Sequence, residues 1–163
     1  MQKRNYSESG FNDYLKINNL LNRYFGAIDD KILDLEVVKD TFTSDGKIIR
    51  PDCSVLQGHE VILENQNNSF SRFRATHHTI SNLIADVENG TAEIRANIIA
   101  MHMWLNAQTD PYSLQTYFVA GGVLHGSAIL TEESWLLKNL SNDIKWRTGT
   151  GLGNMVSFGK LKS

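Results

Sequence analysis

The sequence changes character near Ala75, and this change limits the possible folds more than any other feature. Before Ala75, apolar residues recur at helical spacing; after it come four long segments rich in Ile, Val, Thr, Trp and Tyr. These strand-like segments cover residues 75–87, 91–105, 113–131 and 134–148. Helices followed by long antiparallel strands favour an α+β fold, in which the helices pack on one face of a bent sheet.

Three helices are predicted ahead of the strands. A continuous apolar stripe predicts a strongly amphipathic helix over about residues 10–28. A short second helix is predicted over residues 35–42 with Asp34 as its N-cap, and a third from His59 to about Phe73. Between the last two, the Asp-Gly pair at 45–46 is typical of a turn and precedes a short strand ended by a proline.

Composition indicates one globular domain. The chain has 163 residues, of which 41% are hydrophobic and 21% charged, and it is long enough for a substantial core. We expect residues 1–163 to form a single domain, with a core over about 11–150 and a loose tail over 154–163. The net charge is −2, and no basic stripe stands out in the sequence, so we expect no nucleic-acid partner. Cys53 is the single cysteine, which excludes an intramolecular disulfide.

No apolar run approaches the roughly 20 residues that are needed to span a bilayer, and the first ten residues lack the apolar centre of a signal peptide. We therefore expect a cytoplasmic protein without a membrane partner.

Three histidines, His77, His78 and His102, fall in the first two long segments, which Asn89-Gly90 would join as a hairpin. Because side chains alternate between the faces of a strand, His77 and His78 point in opposite directions. The alternation places the following side chains on the face of His102: Ala92, Ile94, Ala96, Ile98, Ala100 and Trp104. The same alternation places Ile80, Asn82 and Ile84 on the face of His78.

Small apolar side chains leave volume, so the face of His102 could line a cavity that the hairpin also brings near His78. Histidine titrates closest to neutral pH, and two imidazoles beside an apolar pocket suggest proton-transfer chemistry. The alternative is that both are structural histidines. A shared metal site with His77 is not expected, because adjacent strand residues cannot easily bind one ion.

Further candidates lie in the first helix and in other segments. Asp29 could orient an imidazole or act as a base, or it could be a solvated helix end. Tyr24 could donate a hydrogen bond to a substrate carbonyl, or it could be a core aromatic residue. His59 is expected to be exposed at a helix start, and His125 either borders the cavity or faces solvent. The glycines at 149–153 precede no phosphate-binding signature.

Several motifs in fixed order carry a family resemblance. They are residues 22–29 (Asn-Arg-Tyr-Phe-Gly-Ala-Ile-Asp), 42–46 (Phe-Thr-Ser-Asp-Gly), 76–82 (Thr-His-His-Thr-Ile-Ser-Asn), Trp135, and 144–146 (Ile-Lys-Trp). Together they resemble the SnoaL-like branch of the nuclear-transport-factor-like superfamily, which includes scytalone dehydratase, bile-acid dehydratase and polyketide cyclases. The resemblance implies a cone, in which a strongly curved, mostly antiparallel sheet wraps around three N-terminal helices and encloses a pocket.

The same resemblance implies site residues. The aspartate that pairs with a strand histidine in the dehydratases corresponds to Asp29, and that histidine corresponds to His78. The tyrosine of the same motif falls on Tyr24, and the second histidine of scytalone dehydratase falls on His102. The implied function is a cofactor-independent, metal-free lyase or isomerase of the dehydratase kind, which acts by general acid–base catalysis on a small hydrophobic, cyclic or polyketide-like substrate.

Two alternatives stay open at this point. The same fold also serves as a non-catalytic ligand-binding or oligomer-forming module, and as the small subunit of ring-hydroxylating oxygenases. A cavity open to His78 and His102 would favour catalysis, whereas a cavity filled by Phe25, Phe70 or Trp104 would favour the binding module.

The outward face of the predicted sheet suggests self-association. Trp135, Leu137 and Tyr117 are expected on that face, and an exposed apolar sheet face usually marks an interface. We therefore expect a homodimer or a homotrimer.

Overall fold

A computed structural model describes residues 8–105 and 116–151 of the chain. In these stretches the elements are α1 Glu8–Asp29, α2 Leu35–Thr41, β1 Phe42–Ile49, β2 Val55–Gln57, α3 His59–Phe70, β3 Phe73–Glu88, β4 Thr91–Trp104, β5 Tyr117–Leu130 and β6 Trp135–Gly149. The strands form one mixed sheet in the order β2-β1-β6-β5-β4-β3, in which β1 and β6 run parallel and the other pairs antiparallel. The predicted α+β class is confirmed. The predicted tail at 154–163 lies outside the described residues.

Helix α1 supplies one side of the core because its apolar stripe is continuous. Ile17, Leu21 and Tyr24 are almost completely buried, as the helical spacing predicted, and burying one such side chain contributes roughly 2 kcal/mol. The indole Nε1–H of Trp135 in β6 donates to Asp13 Oδ1 at 3.0 Å and joins the helix to the sheet. None of the helices in the described stretches is long and apolar enough to cross a membrane.

The two shorter helices begin where the sequence predicted and end earlier. Asp34 caps α2, since its Oδ1 accepts the backbone N–H of Val37 at 2.9 Å. Helix α2 stops at Thr41 because Phe42 is extended, with φ −116° and ψ 149°, and already belongs to β1. Helix α3 begins at His59 and ends three residues before its predicted end, where β3 begins.

The predicted turn at 45–46 is wrong, because β1 passes through these residues and bulges there. Between Phe42 and Lys47 the strand advances five residues while its partner β6 advances two, so three residues are extra. Gly46 is needed at this position, since a Cβ would lie 2.8 Å from the backbone oxygen of Thr43. Turns and bulges use the same small residues, so the sequence alone did not separate them.

Strands β3 and β4 form the predicted hairpin. Asn89 and Gly90 both have positive φ, 49° and 75°, as a tight two-residue turn requires. The predicted alternation holds along β4, where every second side chain is buried as far as His102. This buried row forms a wall of the cavity described below.

The predicted alternation of β3 fails beyond Ser81. Asn82 has φ 50°, and the pairing register shifts there, with one residue more in β3 than in β4. This bulge reverses the alternation, so Ile84 is 48% exposed while Ala85 is 3% exposed. The prediction that Asn82 and Ile84 share the face of His78 is therefore wrong.

The predicted outward position of Trp135 and Leu137 is also wrong. Both lie in the core between the sheet and the helices, with exposed fractions of 2% and 0%, and Tyr117 is half-buried. Alternation shows which residues share a face, but it does not show which face meets the helices. The homodimer or homotrimer stays a prediction without support from these side chains.

Candidate active site

Asp29 and His78 form a hydrogen-bonded pair where the end of α1 meets β3. The Nδ1–H of His78 donates to Asp29 Oδ1 at 2.6 Å, and the hydroxyl of Thr76 donates to the same oxygen at 2.7 Å. The backbone N–H of His78 donates to Asp29 Oδ2 at 2.7 Å. The side chain of His78 is 4% exposed, and that of Asp29 is 17% exposed. Three donors therefore hold the carboxylate in one orientation.

This environment keeps Asp29 ionised at neutral pH. Burial alone would raise the pKa of its carboxyl group, but the hydrogen bonds and the nearby charge of His78, together with the Thr76 hydroxyl, hold that pKa below its usual value. An ionised carboxylate can only accept, so His78 carries its hydrogen on Nδ1. The nitrogen Nε2 is then the one that can accept a proton from a substrate.

His102 in β4 faces His78 from the next strand. The two imidazole rings are 5.5 Å apart and nearly perpendicular, and His102 stacks on Phe118 at 4.1 Å. Burial, followed by the neighbouring His78, lowers the pKa of His102 to about 3. Its buried Nδ1 has no hydrogen-bond partner among the described residues. His102 is thus a neutral imidazole at physiological pH and can take part only as a hydrogen-bonding group.

The lowered pKa of His102 predicts that acid destabilises the fold. Below about pH 6.5 an unfolded chain takes up a proton on this ring, whereas the folded chain does so only near its pKa of about 3. The stability contributed by a neutral His102 is therefore present above about pH 6.5 and decreases by at most about 1.4 kcal/mol per pH unit as the pH falls.

Urea unfolding of the native chain and of His102→Phe, at neutral and at mildly acidic pH, measures this contribution. The native chain should lose more stability than the variant. His125→Gln, which removes an exposed histidine of β5, should behave like the native chain. Equal losses in the native chain and in His102→Phe would contradict the lowered pKa.

Tyr24 of α1 lines the same cavity as His78 and is almost fully buried. Its hydroxyl oxygen accepts a hydrogen bond from Gln66 Nε2 at 2.7 Å. Burial raises the pKa of the Tyr24 phenol, although the bond from Gln66 acts in the opposite direction. The phenol therefore keeps its hydrogen, and it can donate that hydrogen to a substrate oxygen.

These side chains border one cavity of about 230 Å³. Tyr24, His78 and His102 all line it, so the structure brings together three of the four predicted site residues, with Asp29 directly behind His78. Most of the remaining wall is apolar: Phe25, Ile28, Ile48, Ile49, Phe70, Phe73, Ile98, Ala100, Phe118, Ala120, Leu124, Leu140 and Ile144. Phe25 and Phe70 line the space rather than fill it.

Some neighbours of the site were not predicted from the sequence. Thr76 was recognisable, because it lies two residues from His78 on the same strand face. Gln66 and three arginines, Arg50, Arg72 and Arg147, also line the cavity or support it, and no pattern in the sequence indicated them.

The other histidines lie away from the cavity. His77 and His125 are exposed, and His77 lies on the strand face opposite His78, as the alternation predicted. His59 is half-buried rather than exposed, because its Nε2 lies 2.8 Å from the backbone oxygen of Phe42. In the described part of the chain, no cluster of three His, Cys, Asp or Glu side chains is arranged to hold a metal ion.

Most of the chain matches one protein-family model. Residues 10–141 match the family model that is described as a SnoaL-like domain. The chain belongs to the SnoaL-like domain family. No curated protein sequence matches it significantly.

Solved structures share the SnoaL-like fold. A candidate aromatic ring hydroxylase from Novosphingobium aromaticivorans is 25% identical, with a TM-score of 0.74 over 88% of this chain and 96% of that chain. A candidate scytalone dehydratase from the same organism is 16% identical, with a TM-score of 0.75 over 87% and 90%. The hexachlorocyclohexane dehydrochlorinase LinA-type3 from Novosphingobium barchaimii is 12% identical, with a TM-score of 0.72 over 86% and 92%.

Proposed function

We propose that this SnoaL-like protein is a cofactor-independent lyase or isomerase of the dehydratase kind. It would remove a proton from a carbon next to a carbonyl group in a small cyclic substrate. The observation that carries the proposal is the Asp29–His78 pair at the wall of an apolar cavity. Asp29 accepts the hydrogen bond from His78 Nδ1, so Nε2 of His78 is the nitrogen that would act as the base.

In the proposed reaction, His78 Nε2 takes the proton from the carbon, and the electron pair of the broken C–H bond moves onto the carbonyl oxygen as an enolate. The carboxylate of Asp29 stabilises the imidazolium that forms, as a carboxylate does in other histidine pairs. The phenol of Tyr24 donates a hydrogen bond to the enolate oxygen, with a neutral His102 as a second donor. Such donors act strongly where water is excluded.

The fate of the enolate decides whether the reaction is an elimination or an isomerisation. When the substrate carries a hydroxyl on the next carbon, the enolate collapses, the C–O bond breaks, and His78 returns its proton to the departing oxygen. The products are an alkene conjugated to the carbonyl and one water molecule. When the substrate carries a β,γ-double bond instead, the proton returns to the γ-carbon of the dienolate, the double bond moves into conjugation, and the reaction is an isomerisation. His78 ends neutral in both cases.

Two of the similar structures support an elimination. Their names, dehydratase and dehydrochlorinase, denote the loss of a small molecule from a substrate. The mostly apolar wall also supports it, because a low local dielectric strengthens the attraction between Asp29 and a protonated His78. A purely ligand-binding role would use the same pair only to fasten α1 to β3.

Deuterium exchange separates the catalytic role from the binding role. In D₂O without added cofactor and with a chelator present, the protein should exchange the α-protons of α-tetralone at least about 100-fold faster than buffer does. It should also convert β-hydroxycyclohexanone into cyclohexenone, which ultraviolet absorption follows. Binding of α-tetralone without exchange, and without elimination from the hydroxy ketone, would contradict the proposed function and favour the ligand-binding module.

A further inference from the structure

Three arginines line the cavity, and no aspartate, glutamate or lysine of the described residues lines it. Arg50 directly follows β1, Arg72 lies between α3 and β3, and Arg147 belongs to β6. Arg50 is half-buried and the other two are exposed, so they lie where the cavity meets solvent. Arg147 pairs with Ala120 of β5, whose side chain lines the same cavity.

The composition of the chain does not account for this concentration of positive charge. The sequence contains 16 Lys and Arg residues against 18 Asp and Glu residues, and its net charge is −2. Among the described residues, the cavity lining has three cations and no acidic side chain, so it differs in sign from the chain as a whole. Clefts lined by charges of one sign attract ligands of the opposite charge.

Two of the arginines are held in place by uncharged groups. Arg50 Nη1 donates to Asn65 Oδ1 at 3.4 Å, and Arg72 Nε donates to the backbone oxygen of Ser69 at 3.1 Å. The guanidinium of Arg72 also lies 5.5 Å from the ring centre of Phe73. Within the described residues neither Arg50 nor Arg72 forms an ion pair with a carboxylate. Asp52 lies near enough to Arg50 for the two charges to interact, but its side chain does not line the cavity. Arg50 and Arg72 are therefore oriented by uncharged groups and are not held in ion pairs.

The aromatic part of the cavity wall suits an apolar ring. The stacked rings of Phe118 and His102 and the side chain of Phe70 provide flat surfaces beside His78. A volume of about 230 Å³ lies below the usual range for drug-sized ligands and fits a skeleton of one or two rings. A guanidinium group binds a carboxylate or a phosphate through two parallel hydrogen bonds.

We propose that the cavity selects organic anions that carry a small ring. The ring lies against the histidines, and the acidic group, a carboxylate or a phosphate ester, binds Arg50, Arg72 and Arg147 at the mouth. This inference rests on the cavity being the substrate site. It deepens the proposed function by giving the substrate a charge, and it places that charge at the end of the cavity that opens to solvent.

Binding of three matched probes tests the inference without any turnover. The probes are α-naphthoate, α-naphthyl phosphate and the neutral α-naphthamide, and calorimetric titration at low salt gives each Kd. We expect at least one of the two anions to bind roughly tenfold or more tightly than the amide. A preference for naphthoate would identify a carboxylate as the acidic group, and a preference for the phosphate would identify a phosphate ester.

The double variant Arg72→Gln/Arg147→Gln should lose most of this preference while it still binds naphthamide. Both side chains are exposed, so the fold should persist, which the melting temperature checks. Arg95→Gln is the control for each arginine removed, because it removes one positive charge from a β4 position outside the cavity lining and should keep the preference. Equal affinity for the three probes, binding of none of them, or an equal loss in Arg95→Gln would overturn the inference.

His78→Gln separates this inference from the proposed function. That variant should lose proton exchange and keep its preference for anions, since it retains all three arginines. Exchange in the native chain without any preference for anions would overturn the inference alone. A preference for anions without exchange would contradict the catalytic proposal alone.

Discussion

Replacing His78 with glutamine is expected to lower the rate of α-proton exchange by about 10²–10⁴-fold, the usual contribution of a general base. The fold should survive, because the backbone N–H of residue 78 donates to Asp29 Oδ2 independently of the side chain. Exchange of α-tetralone, measured by NMR alongside far-ultraviolet circular dichroism, tests both statements. His77→Gln is the matched control, since it changes the neighbouring, exposed histidine and should leave the rate unchanged.

The partner substitution Asp29→Asn should lower the same rate by a comparable factor. An amide in place of the carboxylate can donate to His78 Nδ1, which would move the ring hydrogen to Nε2 and block the base. Because the two residues act as one unit, the double variant should be little slower than either single variant. Independent, multiplying losses in the double variant would contradict a dyad, and a fully active His78→Gln variant would contradict the proposed role of His78.

Replacing Trp135 with alanine is expected to lower the free energy of unfolding by about 3–5 kcal/mol, the usual cost of removing a large buried aromatic side chain. Trp135 is almost completely buried at the start of β6, and the substitution also leaves Asp13 without the bond from the indole. Urea unfolding, followed by circular dichroism, measures the loss.

Trp146 in the same strand supplies the comparison. Half of its side chain is exposed, and its ring lies over Gly121. Trp146→Ala should therefore cost about 1 kcal/mol or less. If Trp135→Ala cost as little as Trp146→Ala, the structural assignment of Trp135 to the core would be wrong, and the outward position predicted from the sequence would regain support.

The sequence predicted those features that depend on local spacing. The apolar stripe of α1, the N-cap Asp34 and the alternation along β4 each follow from which side chains share a face. The pairing of Asp29 with His78 joins residues 49 positions apart, and spacing alone did not indicate it. The family resemblance supplied that pair, and the structure places the two side chains in contact.

The errors at Trp135, Gly46 and Asn82 have a common physical origin, because each concerns a relation between distant elements. Whether Trp135 faces inward depends on which side of the sheet the helices cover, and the pattern of one strand does not contain that information. The bulges at Gly46 and Asn82 depend on a mismatch in length between paired strands. The arginines of the cavity come from a loop after β1, a loop after α3 and β6, which approach each other only in the folded chain.

The bulge at Asn82 divides β3 into two halves, and the side chains that face inward are even-numbered in the first half and odd-numbered in the second. On the N-terminal side, even-numbered residues such as Thr76 and His78 face the helix end and the cavity. On the C-terminal side, the odd-numbered Ala85 enters the core instead. A deletion of Asn82 would force one half to turn outward. The single extra residue thus lets one strand present one row of side chains to the candidate site and a different row to the core.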